Sequence, residues 1–418
     1  MVTKKCISEK TKRIYQMFFI SAVISNVTTL DIIADIIPDT ISGIIQDIIP
    51  DITSDTKLSS PEMAAKFGHP SEEHNVTTED GYILTLHHLP GEGMPILLMH
   101  GIADTSETWL IRGNTSLGIT LAEMGHDIWI GDCRGNKYSR RHVSLDPDND
   151  AEQFWNFTFT EIGNYDLPAL IDYVLQETGY EKLNAIGHSQ GTTIFFVMGS
   201  MRTEYNDKVN AFIALAPIAY LTNVPQPLST IIAAGPIIYG EGMKLKQYEV
   251  FGDSLTGKAL RAVCLQPVIG YPTCADGFLF PIVGFDPSEY EYSFHYELFQ
   301  TFPASTPLKD LYHYAQVSSR DSFSQFDYGK EENLKHYGTE LPPDFDLSKV
   351  SMPVALICAK NDKLSTLADV AKLREALPNL IKYTVLERAI TSHVDLTWGR
   401  TNYEYLYPQI FDIMEKYF

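Results

Sequence analysis

The chain has 418 residues, 44% hydrophobic and 20% charged, with a formal net charge of −21. This composition excludes a mainly disordered or collagen-like chain and leaves apolar material for a sizeable core. The acidity excludes a nucleic-acid partner, because no basic face replaces phosphate counterions.

Residues 1–13 carry Lys4, Lys5, Lys10, Lys12 and Arg13 against Glu9, and residues 14–30 carry no charge. A basic start followed by a short apolar run reads as a secretory signal over residues 1–25. The run is short for a membrane span, so a cleaved signal with no stable transmembrane segment is expected, with a retained anchor as the lesser alternative. Residues 26–57 are Ile- and Asp-rich, with a near-duplication (34–42 and 46–54) interrupted by Pro38 and Pro50. Proline breaks a helix there, and the stretch reads as a spacer or pro-segment.

From residue 81 short apolar runs alternate with helical ones. Strands are predicted at Tyr82–Leu89, Ile96–Met99, Asp127–Ile130, Leu183–Ile186 and Phe212–Leu215, and later at Val354–Cys358 and Lys382–Leu386. Helices are predicted near Leu117–Met124, Asn164–Gln176, Gln190–Met201 and Ala368–Leu377, with a last one ending near Tyr417. Buried strands alternating with helices specify an α/β fold with a mainly parallel central sheet covered on both faces. The pattern divides the core into 58–215 and 349–418. Between them, residues 216–348 are rich in aromatics, Pro and Gly and read as an insertion.

The sharpest motif is Gly187-His188-Ser189-Gln190-Gly191, which follows a strand and opens a helix. That context defines a nucleophile elbow, whose serine sits on a tight turn at a helix N-terminus. A serine nucleophile needs a base, and the base needs an orienting acid, in chain order Ser, acid, His. Of the downstream histidines, His295, His313 and His336 fall in the insertion, whereas His393 lies in the loop before the last helix. Asp362 follows the strand Val354–Cys358 directly, where parallel sheets place functional groups. Asp395 is too near His393 in sequence, and Asp369 falls within a helix. The expected triad is therefore Ser189, Asp362 and His393. Oxyanion donors are expected from the N–H of Gln190 and, in the loop His100-Gly101-Ile102, from the N–H of Ile102. His100 precedes the serine and is expected to support that loop.

Other signals are weaker. Cys264 and Cys274 are close enough in sequence for a short loop bridge, while Cys133 and Cys358 sit by apolar runs as buried thiols. Asn75, Asn114 and Asn156 head N-x-S/T triplets, glycosylation acceptors on a secretory route. Residues 146–157 begin like a calcium loop but lack its glycine and terminal glutamate. His87 and His88 are adjacent in a strand, face opposite ways and cannot chelate together. No metal or cofactor is expected.

Several stretches together carry a family resemblance: residues 78–84 (Thr-Glu-Asp-Gly-Tyr-Ile-Leu), 98–101, 127–136, 165–169, 187–193 and 393–399. The chain resembles the acid lipases, the group of gastric and lysosomal acid lipase within the α/β-hydrolases, from about residue 60 to the C-terminus. The resemblance implies a neutral-lipid ester hydrolase with a cap and lid over the serine, and the same triad and oxyanion donors. It implies a triacylglycerol or sterol ester substrate at a lipid-droplet or micelle interface. Competing readings are a carboxylesterase for short soluble esters and a non-catalytic lipid-binding protein on the same scaffold. The expected location is extracellular, with the lysosome as alternative.

Overall fold

The computed structural model describes residues 58–418. The signal and spacer expected over residues 1–25 and 26–57 lie outside the described residues. Among the described residues there are ten strands: β1 Glu72–Thr77, β2 Ile83–Leu89, β3 Glu92–Met99, β4 His126–Gly131, β5 Leu183–His188, β6 Val209–Leu215, β7 Glu249–Val250, β8 Thr306–Pro307, β9 Val354–Cys358 and β10 Leu380–Val385. Eight of them form one sheet in the order β1-β2-β4-β3-β5-β6-β9-β10, and β7 pairs separately with β8. From β4 to β10 neighbouring strands run parallel, while β1 and β2 pair antiparallel at one edge.

The central strands are apolar on both faces because both are covered. Alternate residues sort cleanly between two cores, as the period of two requires. Leu97, Met99, Trp129, Ala185, Phe212 and Leu356 point to one side. Ile96, Leu98, Ile130, Ile186, Ile213 and Ile357 point to the other. The first core is closed by the helix Leu167–Thr178 through Leu167, Leu170, Ile171 and Val174, and by the helix Gln190–Met201. The second is closed by the helices Leu117–Glu123 and Tyr407–Tyr417.

Two features differ from the sequence expectation. Strand β1 was not expected, because its sequence Glu-Glu-His-Asn-Val-Thr is polar and only Val76 is buried. A short charged strand at the margin of a sheet discourages pairing with another chain. Secondly, the expected helix from Asn164 opens with a π-helical turn at Ile162–Asp166. Asp166, fully buried, leaves that turn to meet Arg134: its carboxylate accepts from the Arg134 backbone N–H (2.9 Å) and Nε (2.6 Å). The same guanidinium makes two bonds to Asp80 (2.6 and 2.8 Å) and lies 4.0 Å over the Tyr82 ring. Burial lifts the Asp166 carboxyl to about 6 against the pull of Arg134.

Residues 216–348 contribute no strand to the main sheet. Their helices include Gly235–Lys244, Leu255–Cys264, Tyr292–Leu298 and Leu308–Arg320. The aromatics Phe280, Tyr290, Phe294 and Phe299 form a core of their own, which also takes in Val394 and Trp398 from the C-terminal part of the chain.

Replacing Arg134 with Met should lower unfolding free energy by about 3–5 kcal/mol, because it strands Asp166 without its cation. Urea unfolding of the two proteins measures the difference.

Candidate active site

Ser189 stands where β5 turns into the helix Gln190–Met201, with φ 54° and ψ −119°. This is a strained conformation for a residue with a Cβ. Its N–H is held by the carbonyl of Leu215 on β6 (3.1 Å). The two motif glycines are needed for close approach. A Cβ on Gly191 would lie 2.3 Å from the Met99 carbonyl oxygen, and one on Gly187 would lie 2.7 Å from the Gly191 oxygen. The turn is thus pressed against the end of β3. Gln190 and Gly191 open the helix, so their N–H groups have no acceptor one turn back.

The loop after β3 lies against the serine: a Cβ on Gly101 would sit 3.2 Å from the Ser189 Cβ. His100 holds this loop as expected. Its Nδ1–H donates to the Gly101 carbonyl (2.7 Å), and its Nε2 accepts from the Cys133 N–H (3.1 Å) and the Asn136 amide (3.2 Å). Burial lowers its pKa, which keeps the ring neutral and able to both donate and accept. Ile102 is half-buried in the same loop, and among the described residues its N–H has no hydrogen-bond acceptor.

On the other side of the serine, His393 sits in the turn before the short helix Asp395–Trp398. Its Nδ1 donates to Asp362 Oδ2 (2.8 Å). The other Asp362 oxygen accepts the N–H groups of Leu364 and Ser365 (2.8 Å each), so the carboxylate is fixed on both sides. Asp395 serves the loop instead: it accepts the Ser392 N–H (2.6 Å). Burial, together with the neighbouring Asp286, pushes its carboxyl well above the carboxylate range. Asp369 lies in the helix Leu367–Ala376, bound to Asn223.

No hydrogen bond joins Ser189 Oγ to His393 Nε2 among the described residues, and such bonds are often loose before substrate binds. The link between the two is His188, which the sequence reading passed over. Its Nε2–H donates to the His393 carbonyl (2.9 Å), and the two rings lie 4.9 Å apart. Burial and the adjacent His393 push its pKa down to about 3, so it is a neutral strut. The motif spacing carried no sign of this role, since it needs the fold to bring residue 188 to residue 393.

Several contacts join the segment 216–348 to the site, and three of them reach the histidine turn, the loop after β3 and the serine turn. The Val283 carbonyl accepts the His393 N–H (3.0 Å), and the Ala304 N–H donates to the Ala103 carbonyl beside the Gly101–Ile102 loop (2.7 Å). Thirdly, Asp310 accepts from the side-chain amide of Gln190 and, through its other oxygen, from the Phe159 N–H (2.7 Å). A small cleft remains between Gly101, Cys133, Gln190, Ser305 and Asp310. Ser189 is only 7% exposed.

Cys264 and Cys274 are joined by a disulfide inside the 216–348 segment, with Cα atoms 5.5 Å apart. Cys133 and Cys358 are buried free thiols. The Asn75, Asn114 and Asn156 side chains are on the surface, although Asn156 accepts a bond from Lys309 (2.8 Å).

This geometry is that of an α/β-hydrolase, and comparison with known proteins agrees. The alpha/beta hydrolase fold model matches residues 94–240, and a partial alpha/beta-hydrolase lipase region matches residues 60–113. Lipase 1 of Drosophila melanogaster is 36% identical, over 87% of this chain and 81% of its own. Gastric triacylglycerol lipase of Rattus norvegicus is 32% identical, over 87% and 93%. The chain belongs to the acid lipase family. A solved structure from Sulfolobus solfataricus shares the fold at 14% identity, with TM-score 0.53 over 83% of this chain and 94% of that one.

The Asp310 contact yields a pH prediction. Burial, more than any partner, pushes the Asp310 carboxyl up to about 7, against 3.8 when unfolded. The folded state thus holds a proton that the unfolded state has lost, and stability from this group falls as pH rises through that window. Asp310→Asn carries no such titration. Its stability relative to the parent should therefore improve between pH 4.5 and pH 7.5, as read by urea unfolding at both values. A constant difference would contradict the assignment.

Proposed function

We propose that the protein is a serine ester hydrolase of neutral lipids, a triacylglycerol or sterol ester lipase working through an acyl-enzyme on Ser189. The observation that carries the reading is the Asp362–His393 pair tied through His188 to a serine on a strained elbow. Ser189 Oγ attacks the ester carbonyl carbon while His393 Nε2 takes its proton. Asp362 holds Nδ1–H, which fixes the tautomer and steadies the imidazolium. The oxyanion falls between the N–H groups of Ile102 and Gln190, at the positive end of the helix Gln190–Met201. The C–O bond breaks, the leaving alcohol takes the proton from His393, and water repeats the sequence to release the fatty acid and restore Ser189.

A lipid substrate is supported by the names of the relatives and by residues 216–348. We read that segment as a cap and lid between two parts of the hydrolase core, 58–215 and 349–418. It covers the serine, and its outer side carries exposed Ile237 (70%), Leu245, Val268 (77%), Ile269 and Phe285. Apolar surface of this kind costs free energy in water and is relieved at a droplet or micelle interface. An enzyme for short soluble esters has no use for it. Among the described residues no helix is long and apolar enough to cross a membrane. The secretory route is supported by the basic and apolar N-terminus and by the Cys264–Cys274 disulfide. On that route Asn75, Asn114 and Asn156 are glycosylation acceptors.

Ser189→Ala should lower kcat on an ester substrate by on the order of 10⁶ and abolish labelling by a fluorophosphonate. Asp362→Asn should cost roughly 10⁴, through the wrong histidine tautomer. A larger loss in Asp395→Asn than in Asp362→Asn would reassign the acid.

The lid reading is tested separately. Ile237→Asp combined with Val268→Asp should lower activity on emulsified triolein at least about tenfold, from lost apolar transfer to the droplet. Hydrolysis of p-nitrophenyl butyrate in solution should stay near the parent rate. Equal losses on both substrates would place these side chains in the folding core of the segment and not at an interface.

A further inference from the structure

The antiparallel edge of the sheet brings together three side chains that play no part in the ester chemistry. Glu72 and His74 are two apart on β1 and share a face, and His88 on β2 is the direct register partner of Glu72. His87, its neighbour, turns to the opposite face and binds Asp132 (3.1 Å). Glu72 Oε2 lies 3.4 Å from His74 Nε2 and 3.6 Å from His88 Nδ1. One ligand atom from each of the three lies within 4.8 Å of the others. Two atoms bound to one tetrahedral Zn²⁺ at about 2.0–2.1 Å lie about 3.3–3.4 Å apart, so the two Glu72–His separations are within a few tenths of an ångström of a zinc coordination edge.

The rings are oriented for ligation by their other nitrogens. His88 Nε2 bonds to Asp127 Oδ1 (2.6 Å), and Asp127 is itself held by the Trp129 indole N–H (2.8 Å). The His88 ring also stacks on Trp129, with centroids 3.8 Å apart. His74 Nδ1 bonds to the Tyr173 hydroxyl (2.9 Å). A carboxylate or hydroxyl on the far nitrogen is the usual partner of a metal-binding imidazole, since it fixes the tautomer and raises basicity. The facing nitrogens, His74 Nε2 and His88 Nδ1, are buried and make no hydrogen bond. Buried polar atoms of this kind are seldom left unsatisfied.

We propose that Glu72, His74 and His88 bind a divalent transition metal, Zn²⁺ by the chemistry of the donors, with water as fourth ligand. Two imidazoles and one carboxylate suit zinc and not the all-oxygen preference of calcium or magnesium. The site is remote from the ester chemistry. By strand register His88 is level with Trp129, Leu97 and Ala185, three strands across from β5 and four residues short of Ser189. The ion joins β1 to β2 and pins the polar edge strand to the sheet.

The test uses the full protein. Equilibrium dialysis against Zn²⁺ should show one ion per chain, and Co²⁺ loading should give the intense visible bands of a tetrahedral centre. Glu72→Gln alters an exposed side chain and should weaken Zn²⁺ binding by at least about tenfold, as should His74→Gln. Glu73→Gln, on the other face of β1, should leave it unchanged. Zn²⁺ should raise the Tm of the parent and not that of Glu72→Gln, because a ligand of the folded state stabilises it. Absence of saturable binding, or equal binding by parent and Glu72→Gln, would overturn the site and leave an ion-paired cluster. If Glu72→Gln failed to fold, the Co²⁺ spectrum of the parent would decide alone: octahedral or absent bands would overturn it.

Discussion

The active-site end of this molecule depends on one close approach of backbone to backbone. The turn from β5 into the helix Gln190–Met201 presses on the end of β3 so tightly that Gly191 has no room for a Cβ beside the Met99 oxygen. This contact brings the strained Ser189, the N–H groups of the first helical turn and the His100–Ile102 loop to one point. A methyl group there would push the loop away from the serine and separate the N–H groups of Ile102 and Gln190, the two proposed oxyanion donors. Packing is therefore spent on placing N–H groups, and His100 completes the arrangement by fixing the loop from below with a neutral, fully bonded ring.

The segment between β6 and β9 is bound to this end by polar contacts as well as apolar ones. Backbone bonds reach the turn of His393 and the loop of Ala103, and Asp310 holds the side chain of Gln190. Two of these contacts fall on proposed site residues, through the backbone N–H of His393 and the side-chain amide of Gln190, but none uses the His393 imidazole or the Gln190 backbone N–H. The Asp362–His393 bond and the His188–His393 bond are made wholly by residues outside that segment, so the proposed cover can shift without breaking either.

Much of this was legible from residue order alone. The parallel strands are continuous apolar runs, and the glycine-flanked serine sits between one of them and a helix. Asp362 and His393 follow from their places after β9 and before the last helices. The two buried thiols and the supporting role of His100 were legible for similar reasons. What escaped needs register or distance in space. Strand β1 is too polar to read as a strand until β2 is seen beside it. The π-helical turn at Ile162–Asp166 exists to deliver Asp166 to Arg134, more than thirty residues earlier in the chain. His188 gains a task only when the chain returns at His393. His88 was correctly separated from His87, yet its facing partner lies on the neighbouring strand, where linear spacing does not look.

The position of the long segment between β6 and β9 also orders events in time. A chain emerging from the ribosome completes Ser189 and its helix long before Asp362 and His393 exist. Strand β9, which leads to the proposed acid, docks onto β6, and β10, which leads to the proposed base, docks onto β9, only after the whole intervening segment has been made. The nascent chain thus holds the proposed nucleophile alone, gains the intervening segment next, and gains the proposed acid and base only in the last stage of synthesis. The order of synthesis by itself keeps the proposed ester chemistry silent until the C-terminal strands dock.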